Sequence, residues 1–78
     1  MEMKTKAEIE DRGGENGPYG CVNLTTGSRK VRALFKCSDD GAIEIYNDNW
    51  GMLAPNEWVQ SLIALGDHYP DREVRVGT

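Results

Sequence analysis

Two turn signals, Gly27-Ser28 and Asp39-Asp40-Gly41, punctuate a β-rich stretch from Cys21 to Ile45. Together they commit the middle of the chain to an antiparallel meander. Gly followed by Ser suits a two-residue type II′ turn, which pairs Thr26 with Arg29, Leu24 with Val31 and Val22 with Ala33. Val22, Leu24, Val31, Ala33 and Phe35 then share one face, and Cys21, Asn23, Thr25, Lys30, Arg32, Leu34 and Lys36 share the other. At the second turn, a three-residue loop with Gly41 left-handed sets Cys37 opposite Ile43, Phe35 opposite Ile45 and Lys36 opposite Glu44. A tighter Asp40-Gly41 turn would place Cys37 against Glu44 and break the apolar face, so the bulged turn is preferred.

Residues 47–54 read as a loop leading to a helix from Pro55 to Leu65. Proline fits the first helical position, Glu57 complements the positive end of the dipole, and Gly66 is a stop signal. On a helical wheel Leu65, Trp58, Leu62, Val59 and Ile63 span about 160°. That arc is expected to lie on the sheet. Glu73-Val74-Arg75-Val76 alternates as a last strand with its valines inward. In the first twelve residues Lys4/Glu8 and Lys6/Glu10 are good helical pairs, whereas Ala7 and Ile9 alternate with charges as in a strand; the strand is preferred. The fold class that emerges is α+β: one domain over residues 1–78, an antiparallel sheet of four to five strands with one amphipathic helix packed on one face.

Charge is segregated. Residues 37–71 contain seven acidic residues and no lysine or arginine, whereas the remainder carries nine basic and six acidic residues. Such asymmetry selects partners of opposite sign and speeds encounter. A chain of 78 residues supports only a small core, so a surface-acting protein is expected rather than one with a deep substrate pocket. Two cysteines without CxxC spacing read as reduced thiols, and the N-terminus has no apolar run of signal-peptide length. A cytoplasmic location in a bacterial host is expected, with no membrane partner.

No constellation specifies a reaction, a metal or a cofactor. His68, the only histidine, reads as a solvated loop residue, and Cys37 points inward as a small hydrophobe while Cys21 reads as an exposed thiol on the outer face. The Asp39-Asp40-Gly41 and Asn47-Asp48-Asn49 clusters lack calcium-loop spacing and are explained by turns. The basic run of Arg29, Lys30, Arg32 and Lys36 lies opposite Glu44 and Asp48, which argues against direct nucleic-acid binding. Cys21, Leu34 and Tyr46 fall in one row across the outer face and form a candidate self-association surface for a homodimer. Asp39, Asp40, Asp48, Asp67 and Asp71, with Trp50 and Tyr69 as aromatic anchors, form a candidate surface for a cationic partner.

In its size, acidity, small β-rich domain and lack of a catalytic set, the whole chain resembles the small acidic anti-CRISPR proteins encoded by bacteriophages, a comparison that extends to inhibitors of type I systems. No motif carries the resemblance. It implies stoichiometric inhibition: a non-enzymatic protein whose acidic face occupies a basic surface of a CRISPR effector complex and blocks target DNA binding. The alternative is a general phage or bacterial interaction module that uses the apolar sheet face.

Overall fold

A computed structural model of the chain describes residues 4–15, 17–48 and 52–77. Its elements are β1 (Thr5–Asp11), β2 (Gly20–Thr26), β3 (Arg29–Cys37), β4 (Ile43–Asn47), α1 (Pro55–His68) and β5 (Val74–Val76). The five strands lie side by side in chain order, and one helix covers one face, which makes the fold α+β. From β1 to β4 each strand is antiparallel to the next, as expected, and the N-terminal segment is a strand. β5 departs from the expectation by joining β4 in parallel, because α1 carries the chain back along the sheet before β5 begins. Among the described residues no helix is long and apolar enough to cross a membrane.

Both hairpin registers follow the turn chemistry. Thr26 pairs with Arg29 and Val22 with Ala33, around a Gly27 whose φ of 62° supplies the positive torsion that a type II′ turn requires. Cys37 pairs with Ile43 and Phe35 with Ile45, and the loop between them is closed by Gly41 N–H to the Ser38 carbonyl at 3.0 Å. Where β1 meets β2, Asp11 pairs with Gly20, and a Cβ on Gly20 would sit 1.9 Å from the Glu10 carbonyl oxygen. Only a residue without a side chain permits that approach.

The core consists of Val22, Leu24, Ala33, Phe35, Ile43, Ile45, Leu53 and Leu65, with Ala7, Ile9, Val31, Trp58, Leu62, Tyr69 and Val74 packed around it. Cys37 sits at the edge of this core, half-buried, where the Arg72 guanidinium donates to its Sγ at 3.3 Å. The helix is rotated from its expected setting by about 100°, one residue's turn. Leu65, Trp58 and Leu62 pack inward as expected, but Val59 and Ile63 face solvent, each 52% exposed, and Glu57 and Ser61 are buried in their place. The cause is an ion pair. The Arg29 guanidinium at the start of β3 donates to both Glu57 carboxylate oxygens, at 2.9 and 3.1 Å, and pulls that edge of the helix onto the sheet. Ser61 satisfies its hydroxyl by donating to the Glu57 carbonyl at 2.8 Å and is small enough to let the backbones approach. The helix also runs past Gly66 to His68, since Tyr69 N–H closes a further turn on the Leu65 carbonyl at 2.8 Å.

Two substitutions test these constraints. Gly20→Ala is expected to lower stability by about 1–3 kcal/mol, the usual cost of overpacking; a urea midpoint equal to the parent's would remove the β1–β2 approach as a constraint. Arg29→Ala strands the buried Glu57 carboxylate and is expected to cost about 2 kcal/mol or more at neutral pH. The Arg29→Ala loss should shrink when Glu57 is also changed to Gln, and equal losses in both backgrounds would refute the coupling.

Candidate partner-binding site

β1 and β3 end, β4 and β5 begin, and α1 finishes at the same end of the sheet. The topology therefore gathers acidic residues that are far apart in sequence. Asp39 and Asp40 lie in the β3–β4 turn, Asp67 in the last turn of α1, and Asp71 and Glu73 in the segment before β5, with Asp11 beside them at the end of β1. Asp39, Asp67 and Asp71 are exposed, and among the described residues none of them forms an ion pair. Three arginines share this end, and all are engaged: Arg12, which follows Asp11, pairs with Glu10. Arg72 donates to the Gly41 carbonyl at 2.8 Å and to Cys37, tying the β3–β4 turn to the segment before β5. Arg75 donates to Asp40 at 3.0 Å and to Glu44 at 3.3 Å.

Asp40 holds its turn together. It accepts from the Ser38 hydroxyl, from Ala42 N–H at 3.1 Å and from Arg75. These donors, Ser38 foremost, stabilise the ionised carboxylate and lower its pKa to about 2. Tyr69 also proves structural: its ring packs against Phe35 with centroids 6.0 Å apart, and its hydroxyl donates to Asp11 at 2.6 Å. Burial, and then the bond to Asp11, pushes the Tyr69 pKa up, while the Tyr69 hydroxyl and Gly13 N–H lower that of Asp11. Asp11 thereby stays anionic at the acidic end.

Asp48 does not join this group. It lies at the far end of β4, buried, where Arg32 donates to its Oδ2 at 2.7 Å. Trp50 lies outside the described residues. The surface that the structure brings together is thus Asp39, Asp40, Asp67 and Asp71, with Asp11 and Glu73 added and Tyr69 supporting it from beneath. Nothing local in the sequence marks Asp11, whose position here depends on a contact spanning 58 residues.

The outer face of the sheet has a different character. Glu10, Cys21, Leu34 and Tyr46 form one row across it, as the registers require. Cys21, expected as an exposed thiol, is 2% exposed because Glu10 folds over it, with 3.4 Å between Sγ and the carboxylate; burial raises its pKa. Lys36 lies opposite Glu44 in the register, as expected, but among the described residues the two side chains form no ion pair. The Lys36 ammonium lies 5.6 Å from the Tyr46 ring centroid, and Glu44 takes Arg75 instead. Ion pairs Arg12–Glu10 and Arg32–Asp48 flank the row, above a shallow depression of about 390 Å³ that Tyr19, Leu34 and Tyr46 help to line. His68 lies on the helix side, its ring set edge-on to Tyr69 at 4.6 Å, so the sheet separates it from Cys21 and the two form no nucleophile–base pair. Both cysteines are free thiols.

The linkage at Asp40 has a definite sign. Its pKa is depressed in the fold, so its contribution to stability is present above the ordinary carboxylate range and is lost as pH falls from about 4 to about 2. A carboxyl-detected NMR titration is expected to place its midpoint near 2. Ser38→Ala should move that midpoint upward, and an unmoved midpoint would show that the Ser38 bond does not form in solution. Comparison of the whole chain with protein-family models, with curated proteins and with solved structures finds no match.

Proposed function

We propose that the chain is a non-catalytic inhibitor that binds, through its acidic end, a basic surface of a CRISPR effector complex and blocks target DNA there. It would act in the cytoplasm of a bacterial host, as phage-encoded inhibitors do. The observation that carries this reading is the convergence of Asp39, Asp67 and Asp71 at one end of a small domain, exposed and without an ion-pair partner among the described residues. Carboxylates fixed on a scaffold compete with phosphate for the same lysines and arginines, and each arginine–carboxylate contact is a strong charge-assisted pair. The charge balance of this end supports it further: Arg75 is paired with Asp40 and Glu44, and the exposed Arg72 is outnumbered by Asp11, Asp39, Asp67, Asp71 and Glu73. The outer face supports the alternative less well: Cys21 is covered, and Lys30, Arg32 and Lys36 run down its middle.

The test is competition. In a gel-shift assay with a purified type I effector complex, the chain is expected to reduce target DNA binding in proportion to its concentration, with an effect that weakens as salt is raised. Asp39→Lys/Asp67→Lys/Asp71→Lys should lose inhibition by at least about tenfold while keeping the parent's melting temperature, on the scale of three lost ionic contacts. Asp40 is left unchanged because it holds the turn. Full inhibition by the triple variant would refute the acidic end as the binding surface.

A further inference from the structure

The rotation of α1 leaves an apolar stripe exposed among the described residues. Val59 and Ile63 are each 52% exposed, Leu62 is half-buried beside them, and a Cβ on Gly66 would meet no atom within 4 Å. Positions 59, 62, 63 and 66 follow the i, i+3, i+4, i+7 spacing by which one helix seats on another. A surface helix ordinarily carries polar residues on the side turned away from the core. Here the polar and charged positions Glu57 and Ser61 are spent on the sheet.

We infer that this stripe is the contact between two copies of the chain, joined by antiparallel packing of α1 on α1 about a two-fold axis. Three features fit a second copy. First, the stripe is self-complementary: an antiparallel crossing centred between Leu62 and Ile63 sets each Val59 over the open surface at the partner's Gly66, and each Leu62 beside the partner's Ile63. Second, no like charges meet. α1 contains no lysine or arginine, its Glu57 is buried against Arg29, and the remaining acid, Asp67, is brought to the first turn of the other helix, where the dipole is positive. Third, the competing surface fails this test. Two outer sheet faces stacked about a two-fold axis would bring the central strands β3 together, setting Lys30, Arg32 and Lys36 against their own copies. Self-association therefore moves from the Cys21–Leu34–Tyr46 row to the helix. A single helix pair covers less than the roughly 800 Å² per partner of a standard stable interface, so a reversible dimer of micromolar strength is expected.

Sedimentation equilibrium of the full chain from about 5 to about 500 µM, a range set by that interface size, tests this directly. The expected result is a monomer–dimer equilibrium within the range. Ile63→Glu should weaken it by at least tenfold without changing the melting temperature of the monomer, since Ile63 is already half in water. Leu34→Glu should leave it unchanged. A parent chain that stays at the 8.7 kDa monomer mass throughout overturns the inference, as does dissociation by Leu34→Glu but not by Ile63→Glu. No effector complex enters this experiment, so its outcome is independent of the proposed inhibition.

Discussion

The Arg29–Glu57 bridge fixes more of this molecule than any other contact. A carboxylate that is 2% exposed is tolerated only because its oxygens are filled: two donors come from Arg29, and one comes from Ala54 N–H at 2.7 Å. The same guanidinium donates to the Met52 carbonyl at 3.0 Å, so one side chain from the start of β3 ties the helix, its cap and the preceding loop to the sheet. The pKa of Glu57 is lowered chiefly by Arg29, opposing the burial that would raise it. Helix position, rotation and N-terminal capping are thus set at a single point. The exposed stripe on the opposite side of α1 follows directly from that rotation.

The electrostatics divide between paired and unpaired groups. On the outer face opposite charges are interleaved, with Glu10 beside Arg12, Asp48 beside Arg32 and Glu44 beside Arg75. At the end where α1 and β3 finish, Arg75 is paired with Asp40 and Glu44 and Arg72 donates to the Gly41 carbonyl, while Asp39, Asp67 and Asp71 are exposed and form no ion pair among the described residues. The chain's overall net charge of −4 is therefore unevenly distributed. A field with one dominant pole orients an approaching cationic surface before contact is made.

The parts of the fold legible in the sequence are those governed by short-range rules. Gly27-Ser28 and Asp39-Asp40-Gly41 dictate turn geometry, turn geometry dictates register, and period-two alternation then assigns every side chain from Cys21 to Tyr46 to a face. Asp48 facing Arg32 follows from the same register. The helix face was not legible in this way, because hydrophobicity on a wheel ranks Val59 and Ile63 above Glu57 and Ser61, and nothing within the helix announces an arginine 28 residues earlier. Tyr69 read as a recognition aromatic for a similar reason, since its partners Phe35 and Asp11 come from two other strands. The direction of β5 was equally opaque, as Val-Arg-Val alternates alike in parallel and antiparallel pairing.

The parallel attachment of β5 also determines where the sheet is weakest. Its three residues are held to β4 by Ile43 N–H to the Glu73 carbonyl at 2.8 Å, by Gly77 N–H to the Ile45 carbonyl at 2.7 Å, and by Arg75 gripping Asp40 and Glu44. At the opposite side β1 is an edge of seven residues whose outward side chains Lys6, Glu8 and Glu10 are all charged, a pattern that discourages pairing with another chain. β4 has no such guard of its own. When β5 frays, the backbone of the Ile43–Ile45 segment becomes an open template for strand addition, so amide exchange should run fastest along this seam. It is also the place where slow misassembly of the protein at high concentration would begin.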